Sequence, residues 1–241
     1  INSLYHEYRP LKKELLRDSH IGSYSSFENS PISRGLFQFD LWNKEPIKKL
    51  DDYVLDWDSL RMNIKKWGIR NSLLLAPMPT ASTSQILGNN ECIEPFTSNI
   101  YSRGTLAGQF LVINKYLQDD LIRINEWSSN LKDAIILNNG SVAKINNIPD
   151  IIKDTYKISW DLSMKHLIDQ AADRGIYICQ SQSLNLWLET PTFSKLSSMH
   201  FYAWDKGLKT GIYYLRRRSA TKAQTFSIDP EQEKECLMCS A

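Results

Sequence analysis

The stretch LNLWLETPTFSKLSSMHFYAWDKGLKTGIYYL, residues 184–215, decides the fold class. Leu184 to Leu188 predict a short strand, and Thr192 to Lys206 predict a helix that ends at Gly207. Thr210 to Leu215 then predict a final strand. A strand, a helix and a strand in this order are typical of an α/β domain built on parallel strands.

The same alternation extends upstream. Ser72 to Ala76 include three consecutive leucines without polar alternation, which predicts a strand buried on both faces, as in a parallel sheet. Pro149 or Asp150 opens the longest helical pattern, which ends at Gly175, and Ile176 to Ile178 predict another short strand. Further helix starts are indicated at Asp58, at Asn114 and at Ser128 or Ser129.

Composition excludes several classes of protein. With 42% hydrophobic residues and 11% aromatics in 241 residues, the chain is too apolar to be disordered and long enough for one good core. The net charge of +2 has interspersed signs and one dense basic run, Arg216 to Arg218, so we expect no nucleic-acid partner. The longest apolar run, Leu73 to Met78, is far below the ~20 residues of a membrane helix, so we expect neither a membrane span nor a secretory signal.

The chain begins with Ile1 rather than methionine. This favours a processed or split chain. The alternative is a complete domain from which a tag or an initiator residue was trimmed, and both stay open at this point.

A segment of small and hydroxylated residues, Pro79, Thr80, Ala81, Ser82 and Thr83, follows the predicted leucine strand where a helix is about to begin. Unpaired backbone N–H groups and the helix dipole make such a place suitable for an anion such as phosphate. The alternative is an ordinary Ser or Thr N-cap. The Gly-rich Walker pattern is missing, which argues against a P-loop NTPase.

Two cysteines close the chain, Cys236 and Cys239, in a polar tail that begins after Ala220 and that we expect to be mobile. Their spacing suits a dithiol that closes into a disulfide and reopens by exchange. A zinc half-site is one alternative, although no second CxxC exists and the nearest histidine is His200. An inert terminal pair is the other.

Tyr213 and Tyr214 are adjacent within the final predicted strand. Consecutive side chains of a strand point to opposite faces unless the strand is ending or distorted. Core packing is the simplest interpretation of such a pair, because aromatic residues are common in strands.

These features occur together, and in this order, in one protein family. Over nearly its whole length the chain resembles the C-terminal third of the large subunit of class I ribonucleotide reductase, of the eukaryotic and viral type. The matching blocks are Ser30 through Trp42, Gly68 through Leu74, Ala76 through Thr83, Gly88 through Glu91 and on to Tyr101, Gln180 through Asn185, Ser198 through Tyr202, Gly207 through Gly211, Tyr213 through Arg216, and the closing Cys-Leu-Met-Cys.

The resemblance implies a fold and roles for each of these features. Residues 1–220 would form the C-terminal half of a ten-stranded α/β barrel, and residues 221–241 a mobile redox tail. Pro79 to Thr83 match the segment that holds the substrate's phosphates. Tyr213 and Tyr214 match the inner and outer tyrosines of a radical relay, and Cys236 and Cys239 match the shuttle dithiol reduced by thioredoxin or glutaredoxin.

In the family reaction, a cysteine thiyl radical takes the 3′-hydrogen of a ribonucleotide, the 2′-hydroxyl leaves as water, and two further cysteines supply the electrons. Those cysteines lie upstream of the matched region, as do the effector-binding cone and the other half of the barrel. Cys92, in Asn90-Glu91-Cys92-Ile93-Glu94, imitates the spacing around the thiyl cysteine, but its neighbours match a different family segment.

The resemblance therefore implies that this chain is one part of an oxidoreductase and is inactive alone. It would need the upstream part of the large subunit, in a homodimer, and the small subunit that carries the metal and radical cofactor; this chain itself would bind no metal or cofactor. The implied substrate is a ribonucleoside diphosphate and the implied location is cytoplasmic. The alternative is a non-catalytic module that binds nucleotide and small subunit.

The tail is shorter than is usual in the family, and from Phe226 to Cys236 it spans at most roughly 35 Å.

Overall fold

A computed structural model describes residues 23–43 and 55–218. Within these ranges the chain forms two compact units. The first unit comprises residues 23–43, 55–81, 164–186 and 192–214, and the second comprises residues 82–163, 187–191 and 215–218. In chain order the elements are α1 (Trp57–Trp67), α2 (Thr83–Leu87), β1 (Ile100–Thr105), β2 (Gly108–Ile113), α3 (Lys115–Arg123), α4 (Ser129–Leu137), α5 (Asp150–Thr155), α6 (Met164–Gly175), β3 (Leu186–Trp187), α7 (Phe193–Asp205) and β4 (Leu215–Arg216), with short 3₁₀ turns at Ile32–Arg34 and Ser159–Asp161.

The first unit is built around helix α1. Its N-cap is Asp56, whose side chain accepts a hydrogen bond from Ser59 N–H at 2.9 Å, so the predicted cap at Asp58 was two residues late. The predicted stop at Gly68 is confirmed: this residue has φ 78°, and an added Cβ would collide with Ser23. The buried face of α1 packs in a core that comprises Phe37, Leu60, Ile64 and Ile69.

Helices α6 and α7 complete the first unit. The predicted helix over 192–206 is confirmed as α7, capped by the Thr192 side chain on Lys195 N–H at 3.3 Å. Tyr202 donates from its hydroxyl to Asp169 on α6 at 2.6 Å. This bond ties the two helices together.

The second unit has an apolar core of isoleucine, leucine and valine. The predicted starts at Asn114 and Ser128 are both confirmed, because each side chain accepts a capping hydrogen bond, from Tyr116 N–H and Leu131 N–H. Strands β1 and β2 form an antiparallel hairpin that the sequence patterns did not indicate. The core side chains are Ile100, Leu117, Leu121, Leu131, Ile135, Val142, Ile145, Ile148 and Ile152.

The long helix predicted from Pro149 to Gly175 is wrong as one element. Pro149 does open a helix, α5, but this helix ends at Thr155 and α6 starts only at Met164. In the break, Ser159 N–H donates to the Phe96 carbonyl at 2.9 Å. This contact joins residues far apart in the chain, so hydrophobic periodicity carries no sign of it.

The β-structure is shorter than predicted. Residues 72–76 form no strand, because Leu75 receives one backbone bond, from Gln180 N–H at 3.2 Å, rather than a ladder, and Leu73 stays 53% exposed. Residues 176–178 form a turn on the end of α6. The strands β3 and β4 do pair, with α7 between them in sequence.

The direction of this pairing follows from two backbone bonds. Leu186 N–H donates to Tyr214 O and Leu188 N–H donates to Arg216 O, each at 2.9 Å. Donors and acceptors advance together along the chain, so the strands are parallel. A strand, a helix and a parallel strand therefore follow one another as predicted, and the mixed architecture agrees with the predicted α/β class. The strand bounds differ from the prediction: β3 covers only Leu186–Trp187 of the expected 184–188, and β4 begins at Leu215, the last residue of the strand expected over 210–215.

Candidate functional site

The rings of the two adjacent tyrosines lie close together and tilted to each other on the surface of the first unit. The ring centroids of Tyr213 and Tyr214 lie 4.3 Å apart at an interplanar angle of 55°. The side chains are 46% and 54% exposed. The core-packing interpretation is therefore wrong for both.

A local distortion of the backbone brings the rings together. Tyr213 N–H donates to Leu184 O at 2.7 Å, and Tyr214 O accepts from Leu186 N–H at 2.9 Å. In a regular strand, consecutive residues turn their backbone groups and side chains to opposite sides. Here both residues bond to the same neighbouring segment, and the regular strand β4 starts only at Leu215. The two rings can therefore share one side.

The proposed phosphate segment begins in the first unit. Pro79 and Thr80 are half-buried and Ala81 is exposed. Thr80 has φ 56°, a left-handed conformation that costs a β-branched residue about 1–2 kcal/mol. Strain of this kind is common in ligand-binding loops.

The remaining two residues of the segment belong to the second unit. Ser82 and Thr83 are exposed at the start of α2, and Ser82 makes no side-chain capping bond. The ordinary N-cap alternative is therefore wrong for Ser82. Ser84, which the sequence pattern did not single out, is 1% exposed, and its hydroxyl has no hydrogen-bond partner within the described residues.

Two further polar residues of the first unit are not among the predicted site residues. The Cys179 sulfur accepts hydrogen bonds from the backbone N–H groups of Leu74 and Leu75, at 3.0 and 3.1 Å. Lys209 donates from Nζ to the carbonyls of Ile178 and Cys179, both at 2.9 Å. The Gly-Leu-Lys-Thr-Gly block that contains Lys209 was the available signal, although its sequence carries no indication of these partners.

Cys92 lies in the second unit in a setting that keeps its thiol protonated. Its φ of 54° is left-handed and its side chain is half-buried. Burial, followed by the negative charge of Glu94, raises the pKa of Cys92 to about 12. A thiolate role at neutral pH is thereby disfavoured.

Cys236, Cys239 and the boundary between residues 220 and 221 lie outside the described residues and stay predictions. In the described part of the chain, no group of three or more histidine, cysteine or acidic side chains is arranged to hold a metal ion. None of the described helices combines the length and apolar character needed to cross a membrane.

Comparisons with known proteins agree on one family. The family model for the ribonucleotide reductase barrel domain matches residues 17–214 and thus ends on the second tyrosine of the pair. Large subunits of ribonucleoside-diphosphate reductase from Plasmodium falciparum and Trypanosoma brucei brucei are 52% and 56% identical, over 95% and 89% of this chain. A large chain 2 from Saccharomyces cerevisiae is 51% identical over 95% of it.

A solved structure is similar as well. The class Id ribonucleotide reductase alpha subunit of Actinobacillus ureae matches 65% of the chain with a TM-score of 0.56 and 33% identity. The chain spans only 28%, 26% and 26% of the three relatives named above, and 28% of the solved subunit. The resemblance found in the sequence is confirmed, and the chain belongs to the ribonucleotide reductase barrel domain family.

Proposed function

We propose that this chain is the C-terminal portion of the large subunit of a ribonucleoside-diphosphate reductase and contributes three devices to the reaction. Pro79 to Thr83 hold the substrate's phosphates, Tyr213 and Tyr214 relay the radical, and Cys236 with Cys239 restore the reduced state after turnover. The observation that carries the proposal is the closely spaced, surface-exposed tyrosine pair at the end of the family match.

A phenol suits the relay because it can lose a proton and an electron together and then recover both. The ring centroids lie 4.3 Å apart, so an electron passing from one ring to the other has only a short distance to cross. Their exposed outer faces are accessible to a partner protein, which in this proposal is the small subunit that generates the radical. Tyr214 is the outer member and Tyr213 the inner one.

The phosphate segment supports the proposal through its local chemistry. Its hydroxyl side chains and the first N–H groups of α2 are donors, and a diphosphate needs donors. The strained backbone of Thr80 fits a loop whose shape is set by a ligand. The Ser82 side chain makes no bond that caps the helix.

The overall reaction balances as follows. One ribonucleotide and two thiols give one deoxyribonucleotide, one disulfide and one water, with the thiol hydrogens and electrons passing to substrate and water. The two reducing cysteines and the thiyl cysteine are supplied by the upstream part of the large subunit. The dithiol of Cys236 and Cys239 then exchanges with the new disulfide and is itself reduced by thioredoxin or glutaredoxin. This chemistry fits a cytoplasmic homodimer of complete large subunits.

The test is reconstitution. The chain is mixed with an upstream portion and a small subunit of a relative, and deoxynucleotide formation from cytidine 5′-diphosphate is measured. Tyr213→Phe and Tyr214→Phe should each abolish turnover, because phenylalanine keeps the ring but has no hydroxyl hydrogen to transfer. Tyr116→Phe is the matched control, since Tyr116 is also 49% exposed and lies in the second unit.

The tail is tested separately with two reductants. The double variant Cys236→Ser, Cys239→Ser should be inactive with thioredoxin and active with a small dithiol, because a small dithiol reduces the active-site disulfide directly. A verified complex that forms no deoxynucleotide with the unchanged chain would contradict the proposal and favour the non-catalytic binding module.

A further inference from the structure

We infer that Lys209 is a positioning residue for the reaction proposed above, because it fixes the segment 178–186. One end of this segment is hydrogen-bonded to residues 74–77, which lead into the phosphate segment, and the other end is hydrogen-bonded to the tyrosine pair. The inference rests on the proposed function. All residues that carry it belong to the first unit.

The Lys209 amino group is fully engaged with backbone oxygens. Nζ donates to the carbonyls of Ile178, Cys179 and Gln180, at 2.9, 2.9 and 3.3 Å. An ammonium group has three donors, so three consecutive carbonyls use all of them. The same nitrogen lies 5.9 Å from the centroid of the Trp42 ring. The amino group therefore stabilises the turn at residues 178–180. Without it, these three carbonyls would lose the hydrogen-bond donor that they share.

The upstream end of this segment holds the approach to the phosphate segment. Gln180 N–H donates to Leu75 O at 3.2 Å, and Ser183 N–H donates to Pro77 O at 3.0 Å. The Cys179 sulfur accepts from Leu74 and Leu75. Pro77 precedes Pro79 by two residues. A displacement of residues 178–180 would therefore move the backbone that enters the phosphate segment.

The downstream end holds the relay. Leu184 O accepts from Tyr213 N–H at 2.7 Å, and Leu186 N–H donates to Tyr214 O at 2.9 Å. Lys209 itself precedes Tyr213 by four residues, so the chain that supplies the amino group also supplies the rings. The segment 178–186 is thus hydrogen-bonded both to the backbone that precedes Pro79 and to the backbone of the two tyrosines.

The test compares three variants of the chain in complex with an upstream portion of the large subunit. Lys209→Met keeps the unbranched stem and removes all donors. Lys209→Arg keeps the charge and donors in a planar group and should restore part of the function. Lys195→Met, an exposed lysine on α7, is the matched control.

Three readouts are measured on each variant. Hydrogen exchange should become faster in Lys209→Met at residues 74–76 and 180–186 and stay unchanged in α1. The Kd for cytidine 5′-diphosphate, from calorimetry, should rise. With the small subunit added, kcat/KM should fall by up to about a hundredfold, because a misplacement of the reacting groups by about 1 Å can cost that much.

The outcomes separate the two proposals. Unchanged exchange in Lys209→Met, or changed exchange with an unchanged Kd, overturns the positioning role. A general loss of folding would speed exchange in α1 as well, and Lys209→Arg would then fail to restore binding; this result also overturns it. If the unchanged chain binds the diphosphate but forms no deoxynucleotide, the proposed function fails, while exchange and Kd still decide the role of Lys209.

Discussion

Replacing Asn99 by alanine should destabilise the second unit strongly. Asn99 is 1% exposed and its side chain makes three hydrogen bonds. Its amide nitrogen donates to the carbonyls of Gly140 and Tyr156, at 3.1 and 2.9 Å, and its oxygen accepts from the Asn114 amide at 2.9 Å. Asn114 is the N-cap of α3. Asn99, which directly precedes β1, therefore connects the base of the hairpin to the start of α3, to Gly140 and to Tyr156.

The magnitude follows from these contacts. Three hydrogen bonds contribute about 1 kcal/mol each, and the buried Asn114 amide left without its acceptor costs about 1–3 kcal/mol more. The sum, about 4–6 kcal/mol, corresponds to a fall in Tm of roughly 8–24 °C for a chain of this size. The assay is thermal unfolding followed by far-UV circular dichroism, with the exposed Asn146→Ala as the matched control.

Two results would refute this reasoning. One is an Asn99→Ala variant whose Tm lies within about 2 °C of the Asn146→Ala control, which would mean that the three bonds contribute nothing net. The other comes from the double variant Asn99→Ala, Asn114→Ala. Because the two amides bond to each other, its loss should be smaller than the sum of the single losses. Strict additivity would show that the pair is not coupled.

Three further predictions concern single polar groups. Ser84→Ala should leave the free energy of unfolding unchanged or raise it by about 1 kcal/mol in urea denaturation, because the buried hydroxyl has no partner among the described residues; a clear loss would reveal one. Burial and the hydrogen bond to Asp120 raise the pKa of Tyr156 from 10.0 to about 12, so its contribution to stability is complete below pH 10 and disappears as the pH rises toward 12. Tyr156→Phe should therefore flatten the urea-stability profile over that interval, and a profile that stays as steep would contradict this assignment. Cys92, with its pKa of about 12, should react with iodoacetamide far more slowly in the folded chain than in denaturant, and Glu94→Gln should accelerate it; equal rates, read by mass spectrometry, would be inconsistent with the raised pKa.

Much of the local structure was predictable from the sequence because its causes lie within a few residues. The caps at Asn114, Ser128 and Thr192 each bond to an N–H two or three residues ahead, and Gly68 ends α1 by its own backbone conformation. The motif blocks likewise indicated the family, because they can be compared residue by residue without knowledge of the fold.

Tertiary structure decided what depends on distant partners. The Cys179 sulfur meets Leu74 across 105 positions of the chain, and this contact, rather than a strand ladder, holds the leucine stretch. Tyr213 and Tyr214 share one side because their backbone groups bond to Leu184 and Leu186, and these bonds distort the backbone. The sequence pattern predicted a regular strand at this position. Residue types and spacing therefore determined which groups are available for chemistry, whereas hydrogen bonds between separate segments decided which of them stand together.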